Sequence, residues 1–288
     1  MATSSAQSKT TAAAPWRAQF LSDIKQMDQP AFTFTSLHST STSNDALPRG
    51  RTCIYRGLWG QLPPNEKNKA PRNPEGVYES DLPVLTTDAR MAKVPEIFSS
   101  SPSETTAAAA SKGSGGGGPV EAMWWAVPTQ TQWRIRGHAW VLAPGDVGGE
   151  SAGAKAVREA LKARMRKTAG GEESGEWDWE REIVGHFGNL SPGMRGSFKN
   201  PSPGTPRAND PGEGEGLGQK VGDELLEDEV ARKNFRVVVI VPEEVDLVDL
   251  SDPADQRRWL YTYVGAGAKA TKAGGVIEGE WEKVELWP

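Results

Sequence analysis

The sequence predicts a mainly β protein with flanking helices, in the α+β class. Runs rich in β-branched and aromatic residues recur along the chain, and Gly, Pro and polar clusters bound them, as at 51–59. Helical periodicity is confined to a few segments, and the first carries Trp16, Phe20 and Ile24 at helical spacing. About six to eight strands with few helices favour a closed antiparallel barrel with helices packed outside it.

Composition narrows the classes of partner. The 288-residue chain has a formal net charge of −5, and its 33 Lys and Arg residues form no dense block, which argues against nucleic acid. A local positive pocket for a phosphorylated small molecule is compatible with this total. No apolar run of about 18 residues occurs, so we expect no membrane-spanning helix and no membrane partner.

Cysteine and histidine usage is sparse. The single cysteine, Cys53, excludes an internal disulfide and indicates a reducing compartment. We therefore expect a cytoplasmic protein, with an organelle left open. The three histidines are too scattered to predict a metal site.

The N-terminal half alternates strands with short helices. Residues 1–14 are rich in Ser, Thr and Ala and are expected to be disordered, and a helix should follow up to Pro30. The run at 31–37 alternates in strand fashion and should pair with 51–59 across a polar loop. Further strands are predicted at 78–87, 120–127 and 130–143, with a short helix at 94–98.

The C-terminal half adds two helical segments and four more strand-like runs. The valine-rich run at 234–242 should be buried on both faces. Low-complexity inserts at about 99–118, 144–154 and 199–230 interrupt a single domain that spans 15–288. The other predicted elements are helices at 155–168 and 177–190 and strands at 245–250, 257–264 and 276–287.

Basic residues near strand ends predict an anion site. Arg51 and Arg56 lie five positions apart, so an ideal strand points them to opposite faces, and twist or a bulge would be needed to bring both to one rim. Thr87, Arg90 and Lys93 follow where a strand runs into a helix, and a helix start with such side chains suits an anion. Two solvated surface arginines are the alternative for the first pair.

Three motifs in this order carry a resemblance to a known family. Arg51-x4-Arg56 matches an Arg-x4-Lys/Arg strand, residues 87–93 match Thr-Asp-x-Arg-Ser-x-Lys, and residues 132–137 match Gln-x-Arg-Ile-x-Gly. Pieces at 187–191, 234–235 and 281–288 also match. The chain resembles the pyridoxamine 5'-phosphate oxidase-like FMN-binding proteins, and among them the divergent subgroup of plants, cyanobacteria and fungi. The resemblance implies a split β-barrel, FMN as cofactor, and a homodimer whose two chains share each flavin.

The resemblance also implies which residues contact the flavin. The Gln132 amide offers a donor and an acceptor to the ring edge, and Arg134 is expected near the reduced ring or the phosphate. Most of the tryptophans on the central strands are expected in the core, and stacking on a ligand ring is the alternative, for which Trp133 is the best candidate. The implied contacts are Arg51, Thr52, Arg56, Thr86, Thr87, Arg90, Lys93 and Gln132.

Departures from the family pattern concern the substrate more than the flavin. Met91 stands where the family has Ser, and Leu250 stands where the oxidase itself carries a Trp near its C-terminus. The flavin site is therefore expected to be retained, while the pyridoxamine phosphate site stays open. The nearest candidates for substrate contacts are Ser191, Arg195, Arg257 and Arg258.

The function implied by the resemblance is FMN-dependent oxidation of a small-molecule substrate. Hydride would pass from a substrate C–H to flavin N5, and no side chain needs to be a strong base because the flavin carries the redox chemistry. A flavin reductase with another donor is one alternative. A non-catalytic FMN-binding or interaction protein is another, and a tryptophan-rich ligand-binding barrel without flavin is a third.

Overall fold

The computed structural model describes residues 12–39, 46–102, 113–168, 176–210 and 216–288. Within these ranges the helices are α1 (Arg17–Lys25), α2 (Lys93–Ser99), α3 (Ala152–Lys162), α4 (Trp179–Gly188), α5 (Pro192–Ser197) and α6 (Glu229–Asn234). The strands are β1 (Ala31–Ser39), β2 (Ala46–Ile54), β3 (Tyr78–Ser80), β4 (Val84–Asp88), β5 (Gly115–Ala126), β6 (Thr131–Leu142), β7 (Met165–Lys167), β8 (Phe235–Asp249), β9 (Arg257–Tyr263), β10 (Val276–Glu278) and β11 (Trp281–Leu286). No helix in the described ranges combines the length and the apolar character that a bilayer crossing requires.

The main sheet curls into an antiparallel barrel. Its strands run in the order β2-β1-β5-β6-β8, and β4 pairs with the first part of β8. The gap between β2 and β4 is bridged just after β2 ends, where the Arg56 N–H donates to Val84 O at 2.8 Å and the Val84 N–H donates to Gly57 O at 2.9 Å. The second part of β8 pairs instead with β9, from which β11 and β10 extend the sheet. The mainly β class predicted from the sequence is confirmed.

Strand β8 divides the apolar core in two. Val238 and Ile240 belong to a cluster with Phe34, Trp124 and Trp133, covered by α1 and α2. The alternate residues of β8 face a second cluster under α3, α4 and α5. Successive side chains of a strand point to opposite faces, so a strand between two cores must be apolar throughout. The prediction of a strand buried on both faces is confirmed.

Several predicted boundaries were wrong. The strand predicted at 51–59 is β2, which begins at Ala46 and ends at Ile54, because all nine residues of β1 pair with it from Ala31↔Ile54 to Ser39↔Ala46. The strand predicted at 78–87 is split into β3 and β4, which pair with different partners. The helix predicted at 155–168 ends at Lys162, and the following residues form β7.

The predicted inserts are partly ordered. The glycine run at Gly115–Gly118 starts β5 by pairing with the end of β6. Glycine is needed there because α2 packs closely: a Cβ at Gly115 would lie 2.6 Å from Phe98 Cε1, and one at Gly116 would lie 2.7 Å from Ile97 Cγ2. The insert at 144–154 runs into α3 from Ala152, and the insert at 199–230 contains the fully buried Val221. Residues 103–112 and 211–215 lie outside the described residues, as do residues 1–11 of the predicted disordered terminus.

Candidate functional site

A buried carboxylate organises the end of the barrel that α2 covers. Glu96 lies on α2 and is 4% exposed. Its Oε2 accepts hydrogen bonds from Arg51 Nη2 at 2.6 Å and from Ser36 Oγ at 2.5 Å, while His38 Nδ1 lies 3.3 Å from Oε1. Arg51 reaches Glu96 because it pairs with Phe34 on β1, and Ser36 is the next residue on the same face of that strand. The predicted phosphate ligand Arg51 is thus held in place by an ion pair.

Lys93 lies beside this pair and has hydrogen-bonding capacity to spare. It is 6% exposed, and its Nζ donates to Thr87 Oγ1 at 2.9 Å and contacts Met91 Sδ at 3.1 Å. Among the described residues no carboxylate comes within ion-pair distance of Nζ, and burial lowers the pKa of Lys93. An ammonium has three donors, so one N–H is left for an external acceptor.

Two more of the predicted contacts adjoin the same strand, β4. Arg90 makes a two-point contact with Asp88, with Nε to Oδ1 at 3.0 Å and Nη2 to Oδ2 at 2.7 Å, and it also donates to Phe198 O. Thr86 is half-buried, with its backbone paired to Val237. The thiol of Cys53 lies close enough for Lys93 to lower its pKa, but burial has the larger effect and raises it, which suits an inert thiol.

The predicted ring contacts lie on a different face of the sheet. Gln132 and Arg134 are half-buried and share the face of β6 that is turned away from the core. Arg134 is ion-paired with the buried Asp246 on β8, and its Nε is buried without a hydrogen-bond partner. Trp125, opposite Gln132 on β5, is 43% exposed. Thr52 is exposed on β2.

Trp133 is a core residue. It is fully buried, and its Nε1 donates to Asp23 Oδ2 at 2.9 Å from α1. Its ring meets Phe20 edge to face, with centroids 5.4 Å apart. These contacts support core packing over stacking on a ligand.

Arg56 is in a different place from Arg51. The twist that could have joined them does not occur within β2, because the strand ends at Ile54 before Arg56. Arg56 instead lines a cleft of about 490 Å³ between α1, the 63–65 segment and α4. The structure therefore groups Arg51, Thr87 and Lys93 and leaves Arg56 to this cleft.

The predicted substrate residues have internal partners. Ser191 caps α5, where its Oγ accepts from the Met194 N–H at 3.3 Å. Arg195 is fully buried and donates to Val221 O at 3.0 Å and to Asp223 Oδ1 at 2.5 Å. Both residues thus have structural roles, and their contact with a substrate stays a prediction.

The two C-terminal arginines also carry ion pairs. Arg258 donates from Nη2 to Asp246 Oδ2 at 2.8 Å, so it shares that carboxylate with Arg134. Arg257 is exposed and pairs with Asp255 at 2.9 Å. Arg258 therefore lies at the edge of the sheet face that carries Gln132 and Arg134, where Asp246 offsets part of the positive charge.

Sequence reasoning missed Glu96, Asp246 and His186. Each carries a buried titratable side chain that faces one of the predicted cations. No motif marks them, because each lies far along the chain from its partner. The one usable signal was at Glu96, where an acidic residue within a short apolar helix indicates a buried carboxylate that needs a partner.

The donor set fits FMN. A phosphate needs a cation with a free donor and nearby hydroxyls, which Lys93 and Thr87 supply. The ring edge needs polar groups, for which Gln132 and the unpartnered Arg134 Nε are available. Lys93 and Thr87 would hold the phosphate, and Gln132 and Arg134 would hold the ring.

Comparison with known proteins agrees with this fit. Residues 13–143 match the family model described as "Pyridoxamine 5'-phosphate oxidase, FMN-binding domain". This range runs from just before α1 to the end of β6 and contains all the predicted flavin contacts, but none of the four substrate candidates. No curated protein matches the sequence.

A solved structure with a TM-score above 0.5 shows the same fold. A pyridoxamine 5'-phosphate oxidase-related, FMN-binding protein from Nostoc punctiforme is 17% identical, with 96% of this chain and 100% of that chain covered and a TM-score of 0.55. PhzG from Burkholderia lata, solved with tetrahydrophenazine-1-carboxylic acid, is 12% identical over 94% and 90% of the two chains, with a TM-score of 0.41. Residues 13–143 are thus similar to the FMN-binding domain of the pyridoxamine 5'-phosphate oxidases, and FMN is the cofactor that this match supports.

Proposed function

We propose that this protein is an FMN-dependent oxidoreductase that acts on a small organic substrate. The observation that carries the proposal is the arrangement around Lys93, a buried ammonium with a spare donor beside Thr87 and the Arg51–Glu96 pair. A phosphate bound there would neutralise a cation that burial otherwise disfavours. Held by Lys93, Thr87 and Gln132, FMN would supply the redox chemistry, with its ring as hydride acceptor and oxygen as the final electron acceptor.

The chain's own residues hold and polarise the cofactor in this proposal. Lys93 and Thr87 anchor the phosphate, and Gln132 fixes the ring edge through its amide. Arg134 places positive charge near the ring, while Asp246 keeps its guanidinium oriented. No protonatable side chain is required to remove a C–H proton.

We also propose that the working unit is a homodimer. The face that carries Gln132 and Arg134 also carries Trp125, a large aromatic side chain that is 43% exposed. Exposed aromatic side chains of this kind are typical of interfaces. A second copy on this face would enclose a ring that one chain leaves open, and sedimentation with and without FMN would test it.

A specific observation favours a second candidate, a flavoprotein that does not oxidise pyridoxamine 5'-phosphate. Arg195, one of the predicted substrate contacts, is fully buried and donates to Val221 O and Asp223 Oδ1. Releasing it would leave a buried carbonyl without its donor, which is costly. Another electron donor or a purely FMN-binding role would then apply.

The visible spectrum of the purified protein, followed by anaerobic addition of substrate, tests both candidates. An oxidised-flavin spectrum that bleaches with pyridoxamine 5'-phosphate would support the oxidase function. A flavin spectrum that bleaches only with NADPH or another donor would support a different oxidoreductase, and one that bleaches with none would support the binding protein. A protein that takes up no FMN would refute the proposal.

A further inference from the structure

The face of the main sheet that is turned away from the core, which we call the outer face, gathers three of the predicted flavin contacts. Thr52 is opposite Thr33 on β1, and Thr33 is opposite Met123 on β5. Met123 in turn is opposite Arg134 on β6. Residues directly opposite each other in an antiparallel pair share a face, so these side chains form one row across the sheet. Gln132 stands on the same face, two residues before Arg134.

Trp125 is the largest side chain beside these contacts. It lies directly opposite Gln132 and is 43% exposed. The Cβ atoms of such a pair are about 5 Å apart, so the indole and the Gln132 amide can contact one ligand. Met123, two residues earlier on β5, is half-buried and adds apolar surface. The outer face thus places polar groups for the edge of a flavin next to an aromatic surface for its ring.

The indole of Trp125 has no aromatic partner of its own. The preceding residue, Trp124, points to the core, where its ring stacks on Phe32 with centroids 4.3 Å apart and an interplanar angle of 19°. In the described part of the chain no aromatic ring and no cation packs on Trp125. A single exposed aromatic residue is common on protein surfaces. Its place among the predicted ring contacts, with its ring uncovered, is what distinguishes Trp125.

We infer that Trp125 covers one face of the isoalloxazine ring of FMN, while Gln132 and Arg134 contact the ring edge. The inference rests on the FMN binding of the proposed function and not on the reaction. It has a direct spectroscopic consequence. An indole stacked on a flavin gives an electron to the photoexcited ring and recovers it as the pair returns to the ground state. The fluorescence of the bound flavin is therefore quenched.

The test measures the fluorescence of FMN bound to the full-length protein, together with the Kd for FMN and for riboflavin. Wild-type protein should hold FMN in a strongly quenched form. Trp125→Leu keeps an apolar side chain without the indole, and it should make the bound flavin several times brighter. It should also weaken FMN and riboflavin equally, by about tenfold, because stacking acts on the ring and not on the phosphate.

Two further variants serve as controls. Trp125→Phe keeps a ring for stacking but supplies no electron to an excited flavin, so it should bind FMN within about threefold of wild type and still be brighter. Trp287→Leu removes the other strongly exposed indole, which is 93% exposed. It should leave both the fluorescence of bound FMN and its Kd as in wild type.

Several results would overturn the inference. They are bright FMN in wild type, equal quenching in Trp125→Leu, and brightening in Trp287→Leu alone. Sedimentation covers a role of Trp125 in assembly only: dissociation of Trp125→Leu into monomers whose remaining FMN is still quenched would also overturn it.

The same measurements separate this inference from the proposed function. Quenched FMN that Trp125→Leu makes brighter, but that no donor reduces, would refute the oxidoreductase and support the ring contact. Reduction by a donor with unchanged emission in Trp125→Leu would do the reverse. A wild-type protein that takes up no FMN would refute both.

Discussion

Replacing Glu96 with glutamine should lower stability and strengthen FMN binding at once. Glu96 is buried and accepts charge-assisted hydrogen bonds from Arg51, at 2.6 Å, and from Ser36, at 2.5 Å. Glutamine keeps the shape and one acceptor but removes the negative charge. Arg51 then stays in place as an unpaired cation next to Lys93.

The size of each effect follows from burial and charge. Breaking a fully buried ion pair costs about 3–5 kcal/mol. The Arg51 side chain is 23% exposed and can turn partly to water, so we expect a loss of about 2–3 kcal/mol in unfolding free energy. Two unit charges roughly 8 Å apart interact by about 2 kcal/mol at an effective dielectric constant of 20 before screening, and we take this as the size of the repulsion that the substitution removes. After screening we expect FMN to bind roughly three to ten times more tightly.

Urea unfolding of the apo protein and fluorescence titration with FMN measure the two effects. Riboflavin, which lacks the phosphate, is the ligand control, and its affinity should not change. Glu227→Gln is the matched protein control, because Glu227 is 79% exposed in its pair with Arg232. If Glu96→Gln bound FMN no better than wild type, or bound riboflavin better to the same extent, the phosphate would not lie near the Arg51–Glu96 pair.

Three further predictions use the same described contacts. Lys93→Met should weaken FMN binding roughly 10- to 100-fold without lowering apo stability, because a buried cation is removed; unchanged FMN titrations would contradict the assignment. Asp23→Ala should lower the unfolding free energy by roughly 3–5 kcal/mol in chemical denaturation, since it leaves the buried donors of Thr131 and Trp133 without an acceptor. A loss below about 1 kcal/mol would show that water replaces the carboxylate. Because the folded-state pKa of His186 is about 3, below its unfolded value, unfolded chains bind the extra proton. Stability should fall by up to roughly 1.4 kcal/mol per unit as pH drops from about 6.5 towards 3. Melts at several pH values should show a shallower fall in His186→Phe, and comparison with wild type separates this slope from that of Glu182.

Local sequence patterns were sufficient to predict most of the helices and strands. The alternation of Phe32 and Phe34, the aliphatic run at 237–241 of β8 and the helical spacing of Trp16 and Phe20 depend on side-chain pattern, which each segment carries by itself. The motif around Lys93 could be predicted for the same reason, because Thr87 and Lys93 are close both in sequence and in space.

Errors arose where a long-range partner decides the local structure. The run at Gly115–Gly118 has the composition of a flexible insert, yet it pairs with β6 as a strand, and its glycines leave room for α2 to pack closely on it. The start of β2 at Ala46 depends on the length of β1, and the end of the helix at Lys162 depends on the pairing of β7 with β3.

The sequence by itself determined the mainly β class, the order of the strands along the chain and the residue types that suit a flavin phosphate. Only the tertiary structure decided which of those residues lie together, which lie apart and which partners they have. It joins Arg51 to Glu96 across 45 positions and gives Arg56 a cleft built from α1 and α4. It also commits Arg195 to internal carbonyl and carboxylate partners. The physical reason is that periodicity reports which face a side chain takes, while its charge partner depends on which distant segment packs against that face.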